Sequence, residues 1–184
     1  MTKEYTIICN RKRLPVLENL HDALRELRSR REFGYIWIDF ICINQDKKTH
    51  NAEKSEQVKL MTEIYSKAYE VIIWLGQSDP ESVDAIRLIS ENVDVALTGL
   101  LSHEPINFND PAIFNRYDRK PFNEYQWKAI LVLFRRRWFR RVWTLQEVAL
   151  ATRSVAYCGS ETFHIDNATV FASFLVNHSW DQRL

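Results

Sequence analysis

Two carboxylates stand where the chain offers them no local partner. Glu147 is the lone formal charge in VWTLQEVALAT (142–152), and its helical neighbours Trp143, Thr144, Leu150 and Ala151 include no cation. Asp39 is the lone strong acid or base in FGYIWIDFICINQ (33–45). A carboxylate in apolar surroundings is costly unless it is hydrogen-bonded, paired or protonated, and such groups are enriched at active sites. Structural roles compete with that reading. Asp39 at a strand end suits capping of a neighbouring loop. Glu147 suits pairing with an arginine from the run Arg135 to Arg141.

Other residues add to this pair. Trp143 and Glu147 are four apart, so on a helix they share one face. An indole there holds a flat ring while the acid works beside it, or it simply fills the core. RRRWFRR (135–141) is a dense basic cluster. It reads as a solvated helix end, with phosphate contact as the alternative. Asn44 and Gln45 follow the apolar run and suit either a ligand or loop capping. Cys42 reads as a buried structural thiol, and five scattered histidines give no metal-binding spacing, so no metal is expected. No GxGxxG or GxxxxGK[ST] loop is present. With formal net charge +1 there is no global field for nucleic acid or membrane, and neither is expected as a partner. Three widely spaced cysteines point to reduced thiols and a cytoplasmic location. No apolar stretch reaches the ~18 residues that a transmembrane helix needs, and the first residues lack a signal peptide's apolar core.

The elements that must position these groups follow from periodicity. Residues 5–16 predict a hairpin turning at Asn10-Arg11-Lys12. A helix follows, capped by Asn19, with Leu17, Leu20, Leu24 and Leu27 on one face. YIWIDFICI (35–43) predicts a strand buried on both faces, 53–69 a helix, and VIIWLG (71–76) a second strand, together a right-handed βαβ unit. Asp79-Pro80-Glu81 starts a helix expected to run to about Leu97. Residues 102–122 predict an irregular insertion. Helices are expected over 123–136 and 139–151, then a strand at SVAYCG (154–159) and a last strand–helix step capped by Asp166. The fold class is α/β, three-layer, with a mainly parallel sheet flanked by helices and an N-terminal β-hairpin. Ligands in such sheets sit beyond the strands' C-terminal ends, here Asp39 to Gln45 and Gly76 to Asp79.

Three blocks carry a family resemblance. YIWIDFICINQ (35–45), EQVKLMTEIYSKAYEVIIWLG (56–76) and WFRRVWTLQEVALA (138–151) resemble, in order and spacing, the conserved blocks of the fungal heterokaryon-incompatibility (HET) domain. The similarity covers residues 5–160 of one domain spanning 1–184. The family's opening ALSYxWG strand block is missing before the hairpin, so the chain is expected to be N-terminally truncated. The resemblance implies a TIR-like (flavodoxin-like) fold. It also implies a role in self/non-self recognition and programmed cell death signalling, with other death-signalling proteins or further copies of the chain as partners. TIR domains are known to hydrolyse NAD through a glutamate in a Trp-x-x-x-Glu pattern, and Trp143 to Glu147 has that spacing. Glu147 is then the catalytic acid, stabilising an oxocarbenium-like transition state. Trp143, Arg141, Asp39, Asn44 and Gln45 are the substrate-binding residues, with NAD as substrate and no cofactor. A non-catalytic interaction module and an inactive truncated remnant are the alternatives.

Overall fold

The structure is a computed structural model that describes residues 5–30, 34–45, 51–101, 112, 115, 118–141 and 144–177. β1 (Tyr5–Cys9) pairs antiparallel with β2 (Lys12–Val16), Cys9 opposite Lys12. Asn10 (φ 50°) and Arg11 (φ 63°) form the connecting pair. Two left-handed residues make a type I′ turn, whose twist matches that of the flanking strands. α1 (Glu18–Arg30) starts ahead of Asn19, so Asn19 is not its cap. The Asn19 Oδ1 instead accepts from the Trp74 indole at 3.1 Å. α1 buries Ala23 and Leu27, whereas Leu17 is exposed.

The run 35–43 is not the strand that its composition suggests. Residues 35–38 join no ladder, and α2 (Asp39–Cys42) is a single helical turn. The Asp39 carboxylate accepts the Phe40 N–H at 2.6 Å, and the Cys42 N–H bonds to the Ile38 carbonyl at 2.8 Å. Such local bonds compete with a ladder, and an unbroken apolar run has no period to favour strand over helix. Asp39 and Cys42 are therefore exposed rather than buried, and the expected βαβ unit does not form.

The remaining elements build the core. α3 (Asn51–Lys67) leads to β3 (Val71–Trp74). α4 (Pro80–Glu91) starts on a reciprocal capping box between Asp79 and Ser82 with Pro80 in the first turn. The helix expected to reach Leu97 breaks at Asn92, whose side-chain amide donates to the Leu88 carbonyl at 2.7 Å. α5 (Val93–Leu101) resumes beyond it. Residues 102–111, 113, 114, 116 and 117 of the expected insertion lie outside the described residues. α6 (Glu124–Phe134) starts on a second capping box, Asn123 with Gln126. The helix expected over 139–151 is divided into a 3-10 turn at Arg137–Arg140 and α7 (Thr144–Ala149). β4 (Ser154–Cys158), β5 (Glu161–His164) and α8 (Ile165–Asn177) follow, and Asp166 lies inside the first turn of α8 rather than capping it.

The sheet order is β3-β4-β5. β3 and β4 are parallel, β4 and β5 antiparallel. The described sheet is thus mixed, not mainly parallel, because the two residues Gly159 and Ser160 turn β4 straight back into β5 and leave no room for a crossover. Alternation sorts its side chains. Val71, Ile73, Ala156 and Cys158 face a core shared with α4, α5, α6 and α8, where Ile89, Ile130, Phe171 and Phe174 are fully buried. Ile72, Trp74, Val155 and Tyr157 face the other way, against Leu27 of α1. Each such buried side chain contributes roughly 1.5–3 kcal/mol of transfer free energy.

Candidate functional site

The C-terminal end of β3, where a parallel sheet offers its ligand crevice, is occupied by the protein's own Arg136. Its Nη1 donates to the carbonyls of Leu75 (3.0 Å) and Gln77 (2.8 Å), and its Nη2 to the Asp79 carboxylate (2.8 Å). A Cβ on Gly76 (φ 100°) would meet Nη1 at 3.3 Å, so the bare glycine backbone admits the guanidinium. Burial works against ionisation of Asp79, but the bond its carboxylate accepts from the Ser82 N–H, the adjacent Ser82 hydroxyl and the charge of Arg136 outweigh it. The carboxyl is held below the ordinary aspartate range. Burial pushes the neighbouring Cys158 thiol up. The Gly159 N–H bonds to the Gly76 carbonyl at 2.8 Å and closes the loop onto β4. Gly76 to Asp79 is therefore a structural clasp, because both Nη groups that would recognise an anion are already used.

Glu147 is held differently. α7 begins at the buried Thr144, whose hydroxyl donates to the Arg141 carbonyl at 2.5 Å. Glu147 is half-buried on the next turn, and its Oε2 accepts the Trp138 indole N–H at 3.1 Å. Burial raises its carboxyl pKa above the usual glutamate value, and the charge of Asp39 adds to this. The Trp138 bond and the charge of Arg141 act the other way without cancelling the rise. Among the described residues Glu147 has no ion pair.

The third participant is Tyr65 on α3. Its phenol pKa is raised by burial first, then by the charges of Glu147 and Asp39, with Arg141 opposing. The same four groups thus act on one another across α2, α3, the 3-10 turn and α7. Tyr65 meets Trp37 edge-on, ring centroids 6.0 Å apart, and Trp138 meets Phe139 edge-on at 5.1 Å. Glu147 is thus a protonatable acid with one oxygen anchored by an indole, in the field of a second carboxylate and a cation. Such a set suits proton transfer or stabilisation of a developing positive charge.

The residues singled out from sequence are placed as follows. Asp39 and Arg141 are exposed and act on Glu147 only as charges, with no direct bond to it among the described residues. Asn44 and Gln45 are exposed beyond α2, and the Gln45 amide donates to the Ile43 carbonyl at 2.9 Å, a local capping bond. Trp143 lies outside the described residues. Sequence reasoning passed over Tyr65, Trp138 and Trp37. For Trp138 one signal was present: an indole N–H inside an arginine run needs an acceptor, and Glu147 is the nearest acid after it. Among the described residues no group of three His, Cys, Asp or Glu is arranged to hold a metal ion, and no helix is long and apolar enough to cross a membrane.

Comparison with known proteins agrees with the three sequence blocks. The family model described as heterokaryon incompatibility protein (HET) matches residues 1–147. Heterokaryon incompatibility protein 6, OR allele, of Neurospora crassa is 35% identical over 153 residues, covering 74% of this chain and 22% of that protein. The chain thus spans about a fifth of the length of that curated relative. No solved structure matches the chain. The family match covers most of the sequence and reaches Glu147: the chain belongs to the heterokaryon incompatibility family.

Proposed function

We propose that this chain is a self/non-self incompatibility module that signals cell death by cleaving NAD, with Glu147 as its catalytic acid. Membership of the family supports the incompatibility role. The carboxylate itself carries the catalytic part: half-buried, raised in pKa, anchored by Trp138 and, among the described residues, without an ion pair. In this reading the bond between nicotinamide nitrogen and ribose C1′ breaks with its electron pair leaving on the nitrogen, water adds to C1′ and gives up a proton to solvent, and the products are nicotinamide, ADP-ribose and that proton. Glu147 stabilises the oxocarbenium-like transition state. In this reading Arg141, Asp39, Asn44 and Gln45 bind the substrate, and Trp143, four residues before Glu147, is the stacking residue. We read the fold as TIR-like and the location as cytoplasmic.

The test is nicotinamide release from NAD by purified protein, over concentrations that span self-association. Release by the wild type and a loss of at least about a hundredfold in Glu147→Gln is expected. Release that survives the substitution unchanged overturns the assignment.

One observation favours a second reading, a non-catalytic interaction module. Tyr35, Ile36, Val58, Leu60 and Tyr69 are all exposed within residues 35–69. Exposed apolar residues concentrated in one stretch suit a contact with another protein. Absence of nicotinamide release at every concentration, with self-association lost on Val58→Asp/Leu60→Asp, supports it.

A further inference from the structure

Four arginines of the 135–141 run remain once Arg136 has turned into the clasp. Arg137 and Arg140 are three apart on the 3-10 turn, and a period of three residues stacks them on one edge. Trp138 opens a second edge, which meets Glu147 through the indole. Phe139 forms the third, packed edge-on to Phe134 at 5.1 Å and against the core. The Arg137–Arg140 edge is exposed, and neither side chain has an ion pair among the described residues.

We infer that Arg137 and Arg140 form a two-pronged grip for the pyrophosphate group of a nucleotide ligand whose reacting end reaches Glu147 on the neighbouring edge of the same turn; this rests on the reading of Glu147 given above. Two guanidinium forks three residues apart on one edge suit adjacent phosphates better than a single small anion. A polyanion approaching Glu147 and Asp39 also meets two negative charges, which only a local cluster of cations offsets. Nucleic acid fits less well. The turn is four residues long, about 8 Å at ~2 Å per residue, which spans few phosphates. The interleaved Trp138 and Phe139 are partly buried against the core, which limits the stacking faces they offer to bases.

The experiment is calorimetric titration with inorganic pyrophosphate at low salt, on the wild type, Arg137→Gln/Arg140→Gln and Glu147→Gln. Both arginines are exposed, so the double variant keeps the fold, and far-UV circular dichroism checks that. Saturable one-to-one binding is expected, weakened at least about tenfold in the double variant. Glu147→Gln should bind at least as tightly as the wild type. Three results overturn the inference: no saturable binding to the wild type, binding unchanged in the double variant, or sulfate binding as tightly as pyrophosphate. A single-stranded oligonucleotide that binds more tightly than pyrophosphate, with the same dependence on both arginines, also overturns it and reassigns the patch to nucleic acid. If Glu147→Gln instead keeps full nicotinamide release, the catalytic reading fails while the pyrophosphate result stands.

Discussion

Asp79 and Glu147 are two carboxylates near arginines of the same short run, yet they are driven in opposite directions. Asp79 meets Arg136 directly at 2.8 Å and also accepts the Ser82 N–H at 2.7 Å. Its carboxyl is held down. Glu147 has a single indole donor, and Arg141 acts on it only as a nearby charge. Its carboxyl is pushed up by burial. The difference lies in how completely the polar groups are matched, not in which residue types are present. A matched carboxylate ties elements together. An under-matched one costs stability and keeps chemical capacity for a ligand.

The largest effect should come from breaking the clasp. Arg136→Ala removes three hydrogen bonds from a guanidinium that is 14% exposed, and leaves the Leu75 and Gln77 carbonyls and Asp79 without that donor. A loss of about 3 kcal/mol is expected in urea denaturation. A loss below about 1 kcal/mol would mean that water replaces the guanidinium and that no clasp exists.

A smaller effect is expected from Trp138→Phe. The ring still fills its place beside Phe139, but Glu147 loses its one donor. Stability should fall by about 1 kcal/mol. The Glu147 carboxyl should also rise further, because the bond being removed is what lowers it. An unmoved carboxyl would show that the indole does not hold Glu147.

The smallest effect is predicted to have the opposite sign. Glu147 has a folded-state pKa above its unfolded value, so its protonated form favours the folded chain. That contribution is fully present below the unfolded pKa and is lost as pH rises through the folded pKa. Glu147→Gln keeps an acceptor for Trp138 and removes the ionisation. It should therefore melt higher than the wild type at neutral pH, by about 1–2 °C, with the gap closing as pH falls. A variant that melts lower at neutral pH would place Glu147 with Asp79 as a structural carboxylate.

Much of the scaffold was legible in local chemistry. Val71–Trp74 and Ser154–Cys158 are short runs rich in β-branched and aromatic residues, and each became a strand. Asp79-Pro80-Glu81-Ser82 spelled out the start of α4. The segment 35–45 was not legible, because nine nearly continuous apolar residues carry no period, and a local Asp39 turn decided the backbone. The site was half-legible for a related reason. Glu147 announced itself by lacking a local cation, and Asp39 by standing among apolar neighbours. Tyr65 did not, because its coupling to Glu147 spans more than eighty positions and exists only once α3 and α7 are placed. Arg136 looks like any of its four arginine neighbours in the run, and its partner Asp79 is 57 residues away.

Site-resolved carbon NMR titration of the two carboxyls tests the central contrast most directly. Glu147 should titrate above the ordinary glutamate value and Asp79 below the ordinary aspartate value, in the same sample. Glu147 titrating at or below the ordinary value would contradict the account, because its carboxylate would then be as well matched as that of the clasp.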